Sequence, residues 1–275
     1  MRVAVTGGNK GIGHAAVLGL LADPLVGEVY FTSRNKENGE NALKEFKEAA
    51  KGKKVEMLTL DILAENAVED FVKQVKDKNL QFDVFVNNAG IYLGDFDKKS
   101  LDQLFRVNYT FPIELAHALA KENLVKKGGR FILVSSRMGN ITAFNGHPEA
   151  LKVFLKYKTQ EVTEQVLGDL AKKYLSEVLD PSKGWGNGLY GQSKLFLTVH
   201  AKVLSRVDKD RFYYAMCPGF IKTDMTKGMG ATKEPSEGAD TMIYLSTAKI
   251  DDSLNGEFFA EREVFNGNIP DAKQD

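Results

Sequence analysis

Short runs of β-branched and aromatic residues alternate along the chain with longer stretches in which apolar residues recur at helical spacing. On one such stretch, Ala42, Leu43 and Phe46 share a helix face. This alternation predicts an α/β fold with a parallel sheet and with helices on both faces of that sheet. The predicted strands are residues 3–6, 28–32, 55–60, 84–87, 131–135, 212–216 and 257–260.

A chain of 275 residues can bury a substantial core, and α/β folds often use this length as one domain. No linker or internal repeat interrupts the pattern. We therefore expect a single doubly wound, Rossmann-type domain over residues 1–275. In such folds the crossovers are right-handed and ligands bind beyond the carboxyl ends of the strands, so the residues that follow each strand are the candidates for chemistry.

The first predicted strand runs into a glycine-rich turn, Thr6-Gly-Gly-Asn-Lys-Gly-Ile-Gly13, which opens an apolar helical stretch. Glycines permit a close approach of the backbone, and the N-terminus of the following helix favours the pyrophosphate of a dinucleotide. An isolated match can also be a structural turn, but the position directly after a strand favours phosphate binding. The candidates are Gly7, Asn9, Lys10, Gly11, Ile12 and Gly13.

The end of the second strand indicates which nicotinamide cofactor is used. A site for NAD places a carboxylate there to bind the ribose 2′-hydroxyl, whereas this chain has Ser33 and Arg34. With Lys10 of the glycine turn, these residues offer two cations and a hydroxyl suited to a 2′-phosphate. We therefore expect NADP(H). The alternative is that both cations are ordinary solvated surface residues.

Two further strand ends fit the same site. Asp61 and Ile62 follow the third strand and are placed for the adenine edge, and Asn88, Ala89 and Gly90 follow the fourth strand. Asparagine and glycine also form Asx turns that cap helices, and both roles can coexist.

Tyr190 and Lys194 lie four positions apart in a predicted helix. Residues at this spacing stack on one helix face, so the Lys194 ammonium can stabilise a phenolate and make Tyr190 a usable proton donor. This spacing is common by chance, so the other motifs of the chain decide whether it indicates an active site. One such motif is the serine pair Ser135-Ser136 at the end of the fifth strand. Adjacent strand residues face opposite sides, so only one serine can face a site there.

Together these motifs resemble the short-chain dehydrogenase/reductase family over nearly the whole chain. Within that family the sequence is most similar to the monomeric carbonyl reductases. The segments that carry this likeness are residues 7–13, 134–136, 217–219 and 223–225, together with the late Tyr190.

The resemblance implies a catalytic set of Asn108, Ser136, Tyr190 and Lys194, with Ser136 preferred over Ser135. Ser136 and Tyr190 would donate hydrogen bonds to the carbonyl oxygen, and Tyr190 would deliver the proton. Lys194 would bind the nicotinamide ribose and lower the pKa of Tyr190. Asn108, in a helix predicted over residues 101–119, would anchor a water molecule. The loop that would close over the nicotinamide contains Pro218, Gly219, Ile221 and Thr223.

The implied activity is NADPH-dependent reduction of ketones, aldehydes or quinones. Two alternatives stay open. One is a reductase dedicated to a single metabolite, such as a pterin or a steroid ketone. The other is an NADP(H)-binding sensor without turnover, against which the presence of all four catalytic residues argues.

The segment between the serine and the tyrosine is unusually long for the family, which indicates a helical insertion over residues 137–188. Apolar residues at helical spacing around Phe154 and from Val162 to Tyr174 predict two helices that pack on the body of the domain. In the carbonyl reductases such an insertion covers the association surface, so the resemblance implies a monomer. Met138, Ile141 and Trp185 could line the substrate mouth, although such residues more often pack cores.

Composition narrows the function further. Thirty-seven basic and 37 acidic residues cancel without forming long blocks, which argues against a nucleic-acid or membrane partner and favours a small molecule. No apolar run approaches bilayer length and no leader precedes the first strand, so we expect a cytoplasmic protein. With the single Cys217 and four scattered histidines, no metal-ligand spacing occurs, and we expect no metal.

Overall fold

The computed structural model describes residues 1–94, 97–144, 146–186 and 188–269. Its strands are β1 (Arg2–Val5), β2 (Glu28–Ser33), β3 (Lys54–Thr59), β4 (Phe82–Asn87), β5 (Val125–Val134), β6 (Phe212–Cys217), β7 (Phe258–Ala260) and β8 (Glu263–Val264). They form a sheet in the order β3-β2-β1-β4-β5-β6-β7-β8, in which only β8 runs antiparallel to its neighbour. The strand order reverses between β1 and β4, which is where a doubly wound sheet opens a ligand crevice.

Helices connect the strands and cover both faces of the sheet. Their bounds are α1 (Gly11–Ala22), α2 (Lys36–Ala49), α3 (Ala67–Asp77), α4 (Lys98–Phe105), α5 (Phe111–Lys121), α6 (Pro148–Leu155), α7 (Glu164–Glu177), α8 (Leu189–Val207) and α9 (Pro235–Thr247). The predicted α/β fold with a doubly wound parallel sheet is confirmed. Among the described residues, no helix is both long enough and apolar enough to cross a membrane.

The strand pleat divides the buried residues between two cores. Along β1, Val3 and Val5 face one core, whereas Ala4 between them faces the other. The first core lies under α1, α2 and α9, and the second lies under α3, α4, α5 and α8. Because both faces are covered, the central strands read as continuous apolar runs rather than as an alternation of apolar and polar residues.

The predicted strands agree with the structure to within two residues except in two places. Strand β5 begins at Val125, six residues before the predicted start, because its first half is a polar, glycine-containing run beside a register irregularity in β4. Strand β8 was not predicted. It has two residues and follows a tight turn in which Glu261 and Arg262 both have positive φ.

The helix predicted over residues 101–119 is interrupted. A π-helical turn at Arg106–Thr110 separates α4 from α5, and the amide of Phe111 donates to the carbonyl of Arg106, five residues back. Pro112 has no N–H, so the carbonyl of Asn108 lacks the partner that a regular α-helix would supply. The interruption therefore has a local cause in the sequence, and it falls at a predicted site residue.

Two helices, α6 and α7, occupy the segment between β5 and α8, and they pack around one aromatic side chain of α8. The ring of Phe196 is completely buried. It contacts Phe154 of α6 edge-to-face at 5.2 Å between ring centroids and Tyr174 of α7 at 5.7 Å. On its other side it meets Phe105 of α4 at 5.3 Å. Phe196 thus joins these helices to the sheet-covering layer. That the segment 137–188 is an insertion into one domain stays a prediction.

We predict that Phe196→Ala lowers the free energy of unfolding by about 3–5 kcal/mol, because the substitution leaves a cavity that the surrounding rings cannot fill. Urea denaturation followed by circular dichroism measures this change. The matched control is Leu155→Ala on α6, where the side chain is 42% exposed and the expected change is within about 0.5 kcal/mol. Equal losses for the two variants would contradict the packing role of Phe196.

Candidate active site

The glycine turn leaves the N-terminus of α1 open to a ligand. The N-cap residue Lys10 makes no side-chain capping bond to the first turn of α1. A Cβ atom on Gly13 would lie 2.4 Å from the carbonyl oxygen of Gly7 and 2.5 Å from Nδ2 of Asn88, so only glycine fits there. Gly7 itself has a φ of +63°. The turn therefore offers uncapped backbone amides with no side chain in front of them, which suits a phosphate.

Hydrogen bonds hold this turn against the end of β4. The hydroxyl of Thr6 accepts from the amides of Asn88 and Ala89, at 3.0 Å each. The side-chain amide of Asn88 donates to the carbonyl of Thr6 at 2.8 Å. The two strand ends at the topological switch point are thus fixed relative to each other before any ligand binds.

A cleft of about 980 Å³, called here the main cleft, runs from this turn to α8. Most of the predicted cofactor residues line it: Gly7, Asn9, Lys10, Gly11, Ile12, Gly13, Asn88, Ala89, Gly90, Tyr190, Lys194, Pro218 and Thr223. These residues follow three strands, β1, β4 and β6, or lie on α8, so the fold brings together positions that are far apart in the sequence.

Six predicted cofactor residues do not line the main cleft. The hydroxyl of Ser33 is buried and donates to the carbonyl of Asn35 at 2.7 Å. A carboxylate oxygen of Asp61 accepts from the amide of Leu63 at 3.2 Å, which makes a local turn. Arg34 is exposed at the end of β2. The remaining three are also absent from the lining: Ile62 packs against the core, Gly219 lies in the loop after β6 with a φ of +93°, and Ile221 is buried.

A smaller pocket of about 430 Å³, called here the side pocket, adjoins the main cleft at Asn9 and Lys10. The first turns of α2 contribute Asn38 and Asn41 to it. Across its mouth, Nζ of Lys10 lies 2.8 Å from a carboxylate oxygen of Asp224, and both side chains are exposed. The sequence analysis missed the two asparagines, because it considered strand ends and not the helix that follows β2.

The two adjacent serines follow the last residue of β5 and have different surroundings, and Ser135 rather than Ser136 is among the residues that line the main cleft. The hydroxyl of Ser135 is buried against α8, where it donates to the carbonyl of Lys194 at 2.7 Å and meets the hydroxyl of Thr198 at 2.7 Å. Ser136 is half-buried, and its hydroxyl accepts from the amide of Met138 at 3.1 Å and also interacts with the Tyr190 side chain. Ser136, not Ser135, is therefore the serine beside the tyrosine.

Lys194 is held deep in the protein one helical turn from Tyr190. Its ammonium donates to the carbonyl of Val134 at 2.8 Å and lies 5.8 Å from the centroid of the Tyr190 ring. A Cβ atom on Gly90 would be 3.4 Å from Nζ of Lys194 and 3.3 Å from Oδ1 of Asn108. Gly90 thus lets the loop after β4 approach the lysine closely.

Asn108 connects the π-helical turn to the same loop. Its side chain accepts from the amide of Ile91 and donates to the carbonyl of Ile91, at 2.9 Å each. It also donates to the hydroxyl of Ser193 at 3.2 Å. The side chain therefore makes long-range bonds that fix the loop beside Lys194, while its backbone carbonyl lacks a regular helical partner.

Burial controls the protonation of the tyrosine and the lysine in opposite directions. Burial raises the pKa of Tyr190 to about 12, and the charge of a Cys217 thiolate would add to this, while the Ser136 hydroxyl opposes it. Burial lowers the pKa of Lys194 to about 8. The sequence analysis expected Lys194 to lower the pKa of Tyr190. In the structure burial outweighs that effect, because the ammonium is directed to the Val134 carbonyl rather than to the phenol.

Two of the proposed substrate residues are core residues instead. The ring of Trp185 is 1% exposed, stacks on His147 at 3.6 Å and donates through Nε1 to Glu177 at 3.1 Å. Ile141 is also buried. The prediction that these two line the substrate mouth is wrong, because both side chains are used to pack the segment between β5 and α8. Met138 is 62% exposed beside Ser136, but it does not line the main cleft.

Tyr92 is a cleft residue that the sequence analysis missed. It lines the main cleft, is 44% exposed and meets the Tyr190 ring edge-to-face at 5.6 Å. It follows Gly90 by two positions at the carboxyl end of β4, so the rule that selected Asn88 would have found it if extended further along the loop. Several residues between positions 222 and 231, including Met225, also line the main cleft.

Comparison with known proteins agrees with this geometry. Residues 1–150 match the family described as short chain dehydrogenase. Carbonyl reductase [NADPH] 1 of Pongo abelii is 32% identical over 280 residues, covering 96% of this chain and 98% of the relative. The chain belongs to the short-chain dehydrogenase family.

Two solved structures share the fold of this chain. Salutaridine reductase from Papaver somniferum superposes with a TM-score of 0.80 at 20% identity, covering 94% of this chain and 99% of that one. The NADPH-bound carbonyl reductase from chicken fatty liver gives a TM-score of 0.69 at 20% identity, covering 98% of both chains. At this identity the two likenesses establish a common short-chain dehydrogenase fold and no more.

Proposed function

We propose that this short-chain dehydrogenase is an NADPH-dependent carbonyl reductase that converts ketones, aldehydes or quinones to alcohols or hydroquinones. The observation that carries the proposal is the placement of Tyr190 at the main cleft, beside Ser136 and one helical turn from Lys194. The carbonyl reductase relatives match almost the whole chain and support the same reaction.

The main cleft and the side pocket fit the parts of NADPH. The pyrophosphate would lie on the uncapped N-terminus of α1, where the structure tolerates only glycine at position 13. Lys10, at the junction of the two pockets, would bind the 2′-phosphate together with Asn38 or Asn41 of the side pocket. Arg34 is exposed at the end of β2. We propose that its long side chain reaches the same phosphate from the rim.

Three side chains would perform the chemistry on the substrate. When bound, NADPH supplies the hydride. Ser136 and Tyr190 would donate hydrogen bonds to the carbonyl oxygen, on which negative charge develops, and Tyr190 would transfer its proton to that oxygen. Because the pKa of Tyr190 is about 12, the phenol is protonated at neutral pH and ready for the reductive direction. Lys194 would hold the cofactor ribose and keep a positive charge beside the phenol.

The alternatives have less support. A sensor without turnover would not need Tyr190 and Lys194 at one cleft with the Ser136 hydroxyl beside the tyrosine. A reductase dedicated to a single pterin or steroid ketone remains the second candidate. Tyr92 and Met225, which line the main cleft, favour a flat apolar substrate without choosing between a broad and a narrow range.

We also propose that the protein is a cytoplasmic monomer that binds a small carbonyl substrate and no nucleic acid. The monomer is supported by the packing of α6 and α7 over Phe196 of α8, which buries a helix surface that would otherwise be available to a second chain. The lone Cys217 is buried and free, which suits a reducing compartment. The balanced charge of the chain, with no long basic run, supports the absence of a nucleic-acid partner.

Tyr190→Phe should lower kcat by about 10²–10⁴, because it removes the proton donor, while NADPH binding is retained. The measurement follows NADPH oxidation with a quinone and an aromatic aldehyde, and fluorescence titration gives the NADPH affinity. Tyr244→Phe on α9, outside the main cleft, is the control and should keep full activity. If wild type binds NADPH but turns over none of a broad carbonyl panel, the sensor becomes the better account.

The kcat/KM for NADPH should fall as the pH rises through about 8. The folded pKa of Lys194 is lowered to about 8 by burial, so the ammonium is present below that pH and lost above it, and kcat/KM reports groups of the free enzyme. Lys194→Arg keeps its charge to much higher pH. The kcat/KM of this variant should therefore not fall near pH 8, even if its turnover is slower. If the kcat/KM of the arginine variant still falls near pH 8, a group other than Lys194 causes the fall.

Lys10→Ala and Arg34→Ala should each raise the KM for NADPH by about tenfold, the effect of losing a charged hydrogen bond, and should change the KM for NADH little. Lys36→Ala is the matched control, because Lys36 is an exposed cation two residues from Arg34 and pairs with Glu40. Steady-state kinetics with NADPH and with NADH measures these KM values. Equal effects on NADPH and NADH would remove these two residues from the phosphate site.

A further inference from the structure

Away from the main cleft, three potential metal ligands converge on three different helices. They are His117 of α5, Glu164 at the start of α7 and His200 of α8. Nε2 of His117 lies 2.6 Å from Oε1 of Glu164, and Nε2 of His200 lies 3.3 Å from the same oxygen. All three ligand atoms are within 4.8 Å of one another. The residues are 47 and 36 positions apart along the chain, by subtraction, so no sequence motif reveals the group.

We propose that His117, Glu164 and His200 bind a divalent transition-metal ion of the zinc class. Two imidazoles and one carboxylate are a ligand set that zinc uses in proteins, with a water molecule in the fourth position. Ligands about 2.0–2.1 Å from a tetrahedral zinc lie about 3.3 Å from one another. The His200 to Glu164 separation already has this value. Nε2 of His117 must move away from Glu164 by less than about 1 Å, and its separation from His200, which is within 4.8 Å, must also reach about 3.3 Å.

The burial of the three side chains suits a site that is fixed on one side and open on the other. The side chain of His200 is 7% exposed, that of Glu164 is 34% exposed and that of His117 is 47% exposed. His200 and Glu164 therefore hold two ligand atoms in fixed positions, whereas the exposed side chain of His117 can move to complete the site. An ion can enter from solvent on the His117 side without opening the core.

The second nitrogen of the buried imidazole also has a partner. Nδ1 of His200 lies 2.9 Å from the hydroxyl of Tyr109, which is buried in the π-helical turn. When the proton of the imidazole is on Nδ1, the Tyr109 hydroxyl oxygen accepts the hydrogen bond from that N–H. A ligating histidine usually donates its other N–H to such a partner, which orients the ring and leaves Nε2 free for the metal.

A metal at this site would fasten the segment between β5 and α8 to the body of the domain. Glu164 is the first residue of α7, whereas both histidines lie on helices that cover the sheet. Nearby, the guanidinium of Arg206 on α8 donates to the carbonyl of Val162 just before α7 and to that of Tyr157 at 2.7 Å. The metal would add a second attachment at the same end of α7, and we therefore expect it to act on stability rather than on the reaction.

The test is zinc binding by the full-length, untagged protein after treatment with a chelator. Isothermal titration calorimetry should show one Zn²⁺ per chain for the wild type, and Mg²⁺, which prefers oxygen ligands, should give no binding. His117→Gln should weaken zinc binding by more than about tenfold. Because His117 is an exposed side chain, this variant should keep its fold, which circular dichroism verifies. Zn²⁺ should also raise the melting temperature of the wild type and not that of His117→Gln.

His14→Gln is the matched control. His14 pairs with Glu45 at 3.0 Å, but no second histidine joins that pair among the described residues, so this variant should bind zinc like the wild type. The proposal is overturned if the wild type binds no zinc, or if His117→Gln binds it as tightly as His14→Gln. Because the readout does not involve turnover, the result is independent of the proposed carbonyl reduction.

Discussion

The burial of α8 between the sheet and the helices α6 and α7 is the constraint on which the remaining structure depends. Fifteen of its 19 residues are buried. Its backbone approaches the end of β5 so closely that a Cβ atom on Gly139 would lie 2.7 Å from the amide nitrogen of Leu195. A Cβ atom on Gly191 would lie 2.4 Å from the carbonyl oxygen of Met138. Two glycines therefore allow the helix to lie directly against the loop that carries Ser136.

This burial sets the chemistry of the two functional residues on α8. Removing a phenol from water raises its pKa, and removing an ammonium lowers its pKa, because in both cases the low-dielectric interior disfavours the charged form. Burial thus keeps the phenol of Tyr190 neutral and lowers the pKa of Lys194 to about 8. The hydrogen bond from Lys194 to the Val134 carbonyl fixes the ammonium at the end of β5. The burial of α8 therefore determines both the packing of these two side chains and their pKa values.

The same helix links the cleft to the outer helices. Lys194 faces the cleft, Phe196 packs between α6 and α7, and His200 meets Glu164 of α7 at the far side. The π-helical turn runs alongside, with Asn108 bonded to Ser193 and with Tyr109 bonded to His200. The segment between β5 and α8 is therefore attached to α8 by the aromatic packing on Phe196 and by the contact of Glu164 with His200.

The sequence by itself determined the fold class, the glycine turn and the residues of α8 that face the cleft. These features follow from local rules: strand and helix periods, the backbone freedom of glycine, and the four-residue spacing that places Tyr190 and Lys194 on one face. The alternation of side chains along a strand indicated that only one of Ser135 and Ser136 can face the site, and the choice of Ser136 came from the family resemblance. Pro112 was a local signal for the interrupted helix that the sequence analysis did not use.

Only the tertiary structure decided what depends on contacts between distant segments. Trp185 and Ile141 are core residues because α7 and the segment 137–144 enclose them, and no pattern in the sequence distinguishes such a residue from one at a pocket mouth. The pKa of Tyr190 rises because burial outweighs a cation that is directed elsewhere. The convergence of His117, Glu164 and His200 requires three helices to meet. Burial and long-range proximity are properties of packing, and sequence spacing alone does not encode them.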